Sequence, residues 1–207
     1  MQYLAIDTTT QEIKLALFNT QTQSKFELTE FVGRKQSEQL HVKIKEILDT
    51  ANLTVADLNT IIVNLGPGSY TSLRLGIAAA KGMALPFNIN VIGFDSFTIL
   101  KDLYNATEKQ AIVLENSERQ LYLDTGYDQL IIEPSEITEN LEDGQDVMGN
   151  GFETYAENLK PYNLIENTGT MTAMDLINYA IKNDIKETPL EPLYIKPLTY
   201  KKYEYKL

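Results

Sequence analysis

The chain of 207 residues contains no cysteine and a single histidine, His41. The first absence excludes disulfides, thiolate nucleophiles, iron–sulfur ligation and every zinc site built on sulfur. The second leaves no histidine pair for a metal, and a Ser-His-Asp nucleophile would have to recruit His41. Long apolar runs are missing too. Nowhere do about 18 apolar residues follow one another, so no transmembrane helix and no membrane partner are expected. The start, MQYLAIDTTT, carries no basic stretch ahead of an apolar one, so neither signal nor transit peptide is expected and a cytoplasmic location is. Positive charge is scarce, with 18 Lys and Arg against 29 Asp and Glu, net −11. That balance argues against a chain whose main task is gripping nucleic-acid phosphates.

What is present is 43% apolar and 23% charged composition, enough for one large domain or two lobes of about 100 residues. The charge is unevenly divided. Residues 1–100 hold 8 basic and 9 acidic groups, net −1, whereas 101–207 hold 10 and 20, net −10. Within the second part the final twelve residues are basic and rich in tyrosine (Tyr200, Lys201, Lys202, Tyr203, Tyr205, Lys206). Such a tail suits stacking on and neutralising RNA, and equally a solvated chain end.

Tyr3–Ile6, Ile13–Phe18 and Lys25–Val32 are rich in β-formers and separated by polar turns, which predicts a three-strand meander. From Ser37, apolar residues recur at Leu40, Ile44, Ile47, Leu48 and Ala51, one face of a helix. Thr54 with Asp57 forms a capping box before a strand at Ile61–Asn64. A glycine loop, a helix over Thr71–Leu85 ending before Pro86, a strand at Ile89–Ile92 and a helix capped by Asp95 or Ser96 follow. The first half reads βββαβα. Strands at Ala111–Leu114, Gln120–Thr125 and Leu130–Glu133 restart the order. A short helix at Glu136–Leu141, a strand at Val147–Met148 and a helix capped by Thr172 and Asp175 continue it. The expectation is a duplicated α/β chain, with a first lobe over 1–104, a second, acidic lobe over 105–207, and a cleft between them.

The most specific string is GPGSYTSLRLGIAAAKGMA, Gly66–Ala84. Strand, glycine turn and helix start in this order can present N–H groups to an anion. The string is nevertheless not a Walker A loop, and it reads GxGxxT where a dinucleotide fold wants GxGxxG. A tight turn is the favoured reading. Gly76, Ala78, Ala79, Ala80, Gly82 and Ala84 leave the helix little bulk, which lets another helix approach closely, from this chain or from another. Arg74 and Lys81 can frame that contact.

Asp7, at the end of the first strand, stands where a two-lobed kinase-like fold keeps a carboxylate near magnesium and phosphate. Its turn, Thr8–Glu12, has no glycine to admit a phosphate, and Glu12 adds unfavourable charge. A hairpin aspartate bonded to its own backbone is the favoured reading. The matching turn in the second half, Glu115, Asn116, Ser117, Glu118 and Arg119, is also glycine-free. Gly149, Asn150 and Gly151 suit either an adenosine-side loop or a strand-to-helix turn. His41 reads as a surface or interface imidazole.

From Gly66 to Gly82 the string resembles that of the bacterial TsaB (YeaZ) family, GPGSFTGLRIG followed by a small-residue helix with AKG. Leu4–Thr10 (LAIDTTT), Ser37–Leu48, Val147–Gly151 and Leu193–Lys196 (LYIK) are similar to that family's opening strand, first helix, GNG segment and closing YLR. Tyr70 stands where the family has Phe, Ser72 where it has Gly, and Lys196 where it has Arg. The DARR-type turn is here Glu115–Glu118, so no role of its arginines carries over.

The resemblance implies an actin-like, sugar-kinase-like (ASKHA) pair of lobes. It also implies a non-catalytic partner of the threonylcarbamoyltransferase TsaD in making N6-threonylcarbamoyladenosine beside the tRNA anticodon. On this reading there are no catalytic residues and no metal in the chain. Gly66, Pro67, Gly68, Ser69 and Thr71 form the family's loop. Ser37, Leu40, His41 and Ile44 beside Tyr70, Leu73, Arg74, Ile77 and Lys81 form the partner interface, so that Leu73→Glu or Ile77→Glu should break association with the lobe still folded. No cofactor is bound by this chain alone, ATP or ADP and a metal being expected on partner subunits. A TsaE-type ATPase is a further expected partner, tRNA an indirect one, and a homodimer is expected when the chain is alone. The alternative is an ATP-dependent phosphotransferase or hydrolase of the same superfamily using Asp7.

Overall fold

The structure, a computed structural model, describes residues 1–116, 119–166 and 168–195. The tyrosine-lysine tail, Lys196 and the centre of the Glu115–Arg119 turn lie outside the described residues. The first half comprises β1 (Gln2–Asp7), β2 (Glu12–Asn19), β3 (Lys25–Phe31), α1 (Gln36–Thr50), β4 (Thr60–Asn64), α2 (Tyr70–Ala84), β5 (Asn90–Phe94) and α3 (Ser96–Leu103). The second comprises β6 (Ala111–Glu115), β7 (Leu121–Asp124), β8 (Gln129–Ile132), α4 (Ile137–Asn140), β9 (Asp146–Gly149), α5 (Ala156–Leu159), β10 (Asn163–Ile165) and α6 (Ala173–Lys182).

The sheets run β3-β2-β1-β4-β5 and β10-β9-β6-β7-β8. Numbered within its own half, each is the same sheet, with the first three strands antiparallel and the fourth and fifth added parallel to the first. The duplication expected from element order therefore extends to strand pairing. Helix α5 and strand β10 complete the second copy without a sequence signal. One is a single turn and the other a three-residue edge strand with half-exposed side chains, too short to show a period.

Side-chain alternation along the strands sets the layers. Leu4, Ile6, Ile13, Leu15, Leu17, Ile61 and Val63 point to one face of the first sheet and pack with Leu40, Ile44, Ile47 and Leu48 of α1 and Ile77, Ala79 and Ala80 of α2. The intervening Ala5, Ala16 and Ile62 point the other way, into a cluster with α3, α6 and the inner face of the second sheet (Ile112, Leu114, Met148). Ala111, Val113 and Val147 face outward again, to Ile137 of α4 and Leu159 of α5. Helix α6, from the second half, lies on β1, β2 and β4 of the first, and the small Ala5 and Ala16 give it room.

Polar links tie the same middle layer. Lys101 of α3 reaches both carboxylate oxygens of the buried Asp124 on β7 at 2.9 and 3.0 Å, Lys182 of α6 pairs with Asp102 of α3 at 2.8 Å, and the Tyr104 hydroxyl donates to the Thr170 carbonyl at 3.0 Å. The anticipated caps are in place: Asp95 accepts from the Thr98 N–H, and Thr54–Asp57 and Thr172–Asp175 close as boxes. Among the described residues no helix is long and apolar enough to cross a membrane.

Candidate functional site

Strand β4 delivers the chain into the Gly66 loop. The Asn64 side-chain oxygen accepts the Gly66 N–H at 3.0 Å, its amide nitrogen donates to the Ser96 hydroxyl at 2.9 Å, and the Ser96 N–H donates to the Gly66 carbonyl at 2.6 Å. Gly66 and Pro67, joined by a cis peptide, are buried, Gly68 is half-buried, and Ser69 and Thr71 are exposed. Ser69 caps α2 by accepting from the Ser72 N–H at 3.2 Å. A Cβ on Gly68 would stand 2.7 Å from the Thr9 carbonyl oxygen, and one on Gly76 2.7 Å from the Thr8 hydroxyl. These glycines bring loop and helix backbone against the β1–β2 turn, which is the tight-turn reading.

That turn is filled by the chain's own side chains. The Thr8 hydroxyl donates to the Ser72 carbonyl at 2.8 Å. The buried Gln36 at the start of α1 points its amide nitrogen at the Thr8, Thr10 and Glu12 carbonyls, and its oxygen accepts from the Ser72 hydroxyl. Ser69 donates to Ser72 in turn, at 2.7 Å. Asp7, 2% exposed, accepts the Thr9 N–H and hydroxyl on one carboxylate oxygen at 2.9 and 2.7 Å, the hairpin arrangement favoured from sequence. Removing one member exposes the cost. Ser72→Ala leaves the Gln36 oxygen without its donor, an expected loss of about 1–3 kcal/mol, read as a fall in melting temperature of about 3–8 °C.

The two outer helices separate the expected interface residues into two groups. Leu40, Ile44, Leu73 and Ile77 are 0, 2, 0 and 7% exposed and turn inward, Leu40, Ile44 and Ile77 into the core against the sheet and Leu73 against the Gly66 loop. That places all four inside this chain instead of on the expected outer surface, and a charge at Leu73 or Ile77 is expected to act on folding. Ser37, His41, Arg74 and Lys81 are exposed and Tyr70 is half-exposed. His41 lies across from Leu75, Ala78, Gly82 and Met83 in a shallow, mainly apolar groove of about 410 Å³ between α1 and α2. Val42 on α1 and Leu85 just after α2 are further exposed apolar side chains, 55 and 83% exposed. The groove thus presents Leu75, Ala78 and Gly82 of α2 to the outside, facing His41 of α1.

In the second half, Gly149-Asn150-Gly151 is a crossing of backbones. A Cβ on Gly149 would stand 1.8 Å from the Val113 carbonyl oxygen, and one on Gly169 2.2 Å from the Gly149 carbonyl carbon. The Thr168 hydroxyl accepts the Gly149 N–H at 3.0 Å, and the Asn150 side chain accepts the Glu115 N–H at 2.7 Å. These contacts fix the turn that leads from β9 toward α5. Burial, then the neighbouring Glu115 carboxylate, push the Tyr155 phenol above its ordinary value, which keeps it a donor toward Glu115 at 3.5 Å. Among the described residues no three His, Asp or Glu side chains are grouped to hold a metal ion.

A family model described as TsaD, tRNA N6-adenosine threonylcarbamoyltransferase, matches residues 27–187. The tRNA threonylcarbamoyladenosine biosynthesis protein TsaB of Escherichia coli is 36% identical over 94 residues, 45% of this chain and 39% of that protein. TsaB of Bacillus subtilis is 30% identical over 100 residues, 48% and 43% of the two chains. The solved YeaZ structure from Pseudomonas aeruginosa superposes with a TM-score of 0.68 at 18% identity, over 93% of this chain and 99% of that one. The chain belongs to the TsaB (YeaZ) family. Its matches span less than half the length of these two curated relatives, while the fold is shared over 93% of this chain and is the expected actin-like pair of α/β halves.

In this TsaB-family chain two of the departures from the family string acquire structural reasons. Ser72 supplies the hydroxyl that satisfies Gln36, and Tyr70 stacks against Tyr194, ring centroids 4.7 Å apart. Sequence reasoning passed over Gln36, Thr8 and Tyr194. Each acts through partners 24 or more residues away, and no spacing pattern reports such a bond.

Proposed function

We propose that the protein acts in tRNA threonylcarbamoyladenosine biosynthesis as a subunit that docks onto the homologous threonylcarbamoyltransferase and performs no transfer itself. The observation that carries this reading is the contrast between two places in the first half. The turn beside Asp7, where the fold's relatives in phosphate chemistry would need space, is packed with Thr8, Gln36 and Ser72. The outer face of α1 and α2 is apolar, small-residue and open. Backbone-deep approach over Ala78 and Gly82 suits a helix pair of the same fold, as in other small-residue helix contacts.

The reading assigns ATP or ADP and the metal to partner subunits, a TsaE-type ATPase among them, and gives this chain no cofactor of its own. It places tRNA on the catalytic partner, which agrees with a net charge of −11. The near-neutral first half, net −1 over residues 1–100, is the part free to meet another protein without long-range repulsion. Without the partner, the same face pairs two copies of this chain.

Co-expression with the catalytic homologue followed by size-exclusion chromatography tests the reading. Ala78→Glu and Gly82→Glu are expected to abolish co-elution while shifting the melting temperature by no more than about 2 °C, since neither side chain enters the core. Depletion of the protein is expected to lower the threonylcarbamoyl nucleoside in bulk tRNA. Undisturbed co-elution of both variants, or a normal nucleoside profile after depletion, would refute the reading.

A further inference from the structure

One cation on the docking face is held in a way that its neighbours are not. Arg74 is exposed on α2, one turn before Ala78. Its guanidinium carbon lies 3.7 Å from the centroid of the Tyr70 ring, and its Nε donates to the Tyr194 hydroxyl at 2.9 Å. Tyr194 arrives from the far end of the described chain on a strap that runs back from α6. Asn90 donates to the Lys186 carbonyl, the Gly93 N–H donates to the Thr188 hydroxyl, and the Leu193 N–H donates to the Leu65 carbonyl, each at 2.7 Å. The Tyr194 ring then lies on Tyr70 with an interplanar angle of 31°.

No carboxylate is paired with Arg74 among the described residues. With Nε spent on Tyr194, the terminal pair of nitrogens remains as a planar, end-on fork. A surface arginine ordinarily surrenders side-chain freedom when it binds. Here the stack and the hydroxyl have fixed the group beforehand, which lowers the cost of recognition. An end-on guanidinium fork matches one planar oxyanion with two oxygens.

We propose that Arg74 receives an aspartate or glutamate carboxylate of the catalytic homologue, and that Tyr194 is the positioning residue that presents it. The proposal rests on the docking reading and names the chemistry of the partner at that face. A carboxylate fits better than a phosphate because the surface between Arg74 and Lys81 is built of Leu75, Ala78 and Gly82, which gives each cation an apolar surround and does not gather the two on one polyanion. Such a surface suits a protein carrying one acid within an apolar patch, and the acidic chain as a whole repels a polyanion.

The test is calorimetric titration of the wild-type chain and its variants with the purified catalytic homologue, at low and moderate salt. Arg74→Ala is expected to weaken binding about 10- to 100-fold and to flatten the salt dependence. Arg74→Lys keeps the salt dependence and recovers only part of the affinity. Tyr194→Phe, which retains the ring and removes the hydroxyl, weakens binding about 3- to 10-fold in the wild-type background and has no effect in Arg74→Ala.

Independent, multiplying effects of the two substitutions would overturn the positioning role. Wild-type-like affinity of Arg74→Ala, with Ala78→Glu still abolishing binding, would overturn the proposal and leave the docking reading standing. Inorganic phosphate bound in an NMR titration by wild type but not by Arg74→Ala, with partner affinity unmoved, would assign the fork to phosphate and overturn it as well. A wild-type chain that does not bind the homologue would remove the docking reading itself, and this proposal with it.

Discussion

Leu73→Glu is expected to unfold the protein, not to release it folded from its partner. Leu73 is fully buried beneath α2, and a carboxylate there loses the apolar burial of leucine and pays for desolvation without a cation to meet it. Lost burial contributes about 2–3 kcal/mol, and an unpaired buried charge adds about 3 kcal/mol or more. The sum rivals the total stability of an ordinary domain, about 5–15 kcal/mol. The expected observation is a melting temperature at least 10 °C below wild type, or insoluble protein. Ala78→Glu, five residues further along the same helix, is expected to melt like wild type. Circular dichroism melts of the two variants side by side decide the matter. A Leu73→Glu protein that melts normally and has lost its partner would return Leu73 to the interface.

Gly149→Ala is expected to be comparably severe in the second half, through backbone rather than side-chain packing. Gly149 has φ of +128°, a region closed to residues with a Cβ, and the added carbon would meet the Val113 carbonyl oxygen at 1.8 Å. Relieving that overlap separates β9 from β6, whose Val113 carbonyl also accepts the Asn150 N–H at 3.0 Å. Strain of about 1–3 kcal/mol from the conformation alone is joined by the lost pairing of two central strands, for a total above about 4 kcal/mol. Urea denaturation would register the loss. Hydrogen exchange would place it, with the Asn150 and Gly149 amides losing protection first. Wild-type stability in this variant would mean the crossing is looser than its contacts imply.

Both variants sit where reading the sequence met its physical limit. Strand and helix positions were legible because burial imposes a period. Leu4 and Ile6 against Ala5, and Leu40, Ile44, Ile47 and Leu48 along α1, show it directly. The same period marks Leu40 and Ile44 as inward-facing, and the family resemblance drew them to the surface only because it names a helix face without its rotation. Among the small residues of α2 hydropathy gives no rotation. Ala79, Ala80 and Ala84 are buried while Ala78 and Gly82 are exposed, and nothing in their chemistry distinguishes them. The knot of Thr8, Gln36 and Ser72 was illegible for a different reason, since a polar side chain carries no record of which distant carbonyl it will meet. The Gly68 and Gly149 strings were visible as glycines, but a missing Cβ does not say what lies in the space it leaves.

The middle layer has a consequence for how such a chain can be divided. Helices α3 and α6 sit between the two sheets and belong to both. A chain severed in the connection between Leu103 and Ala111 would leave Ala5, Ala16 and Ile62 without the helix that covers them, and Ile112, Leu114 and Met148 without α3. The repeat visible in strand order is therefore not a repeat of self-sufficient parts. Each copy is finished by the other, and the interface that made the duplication stable is the one that forbids undoing it.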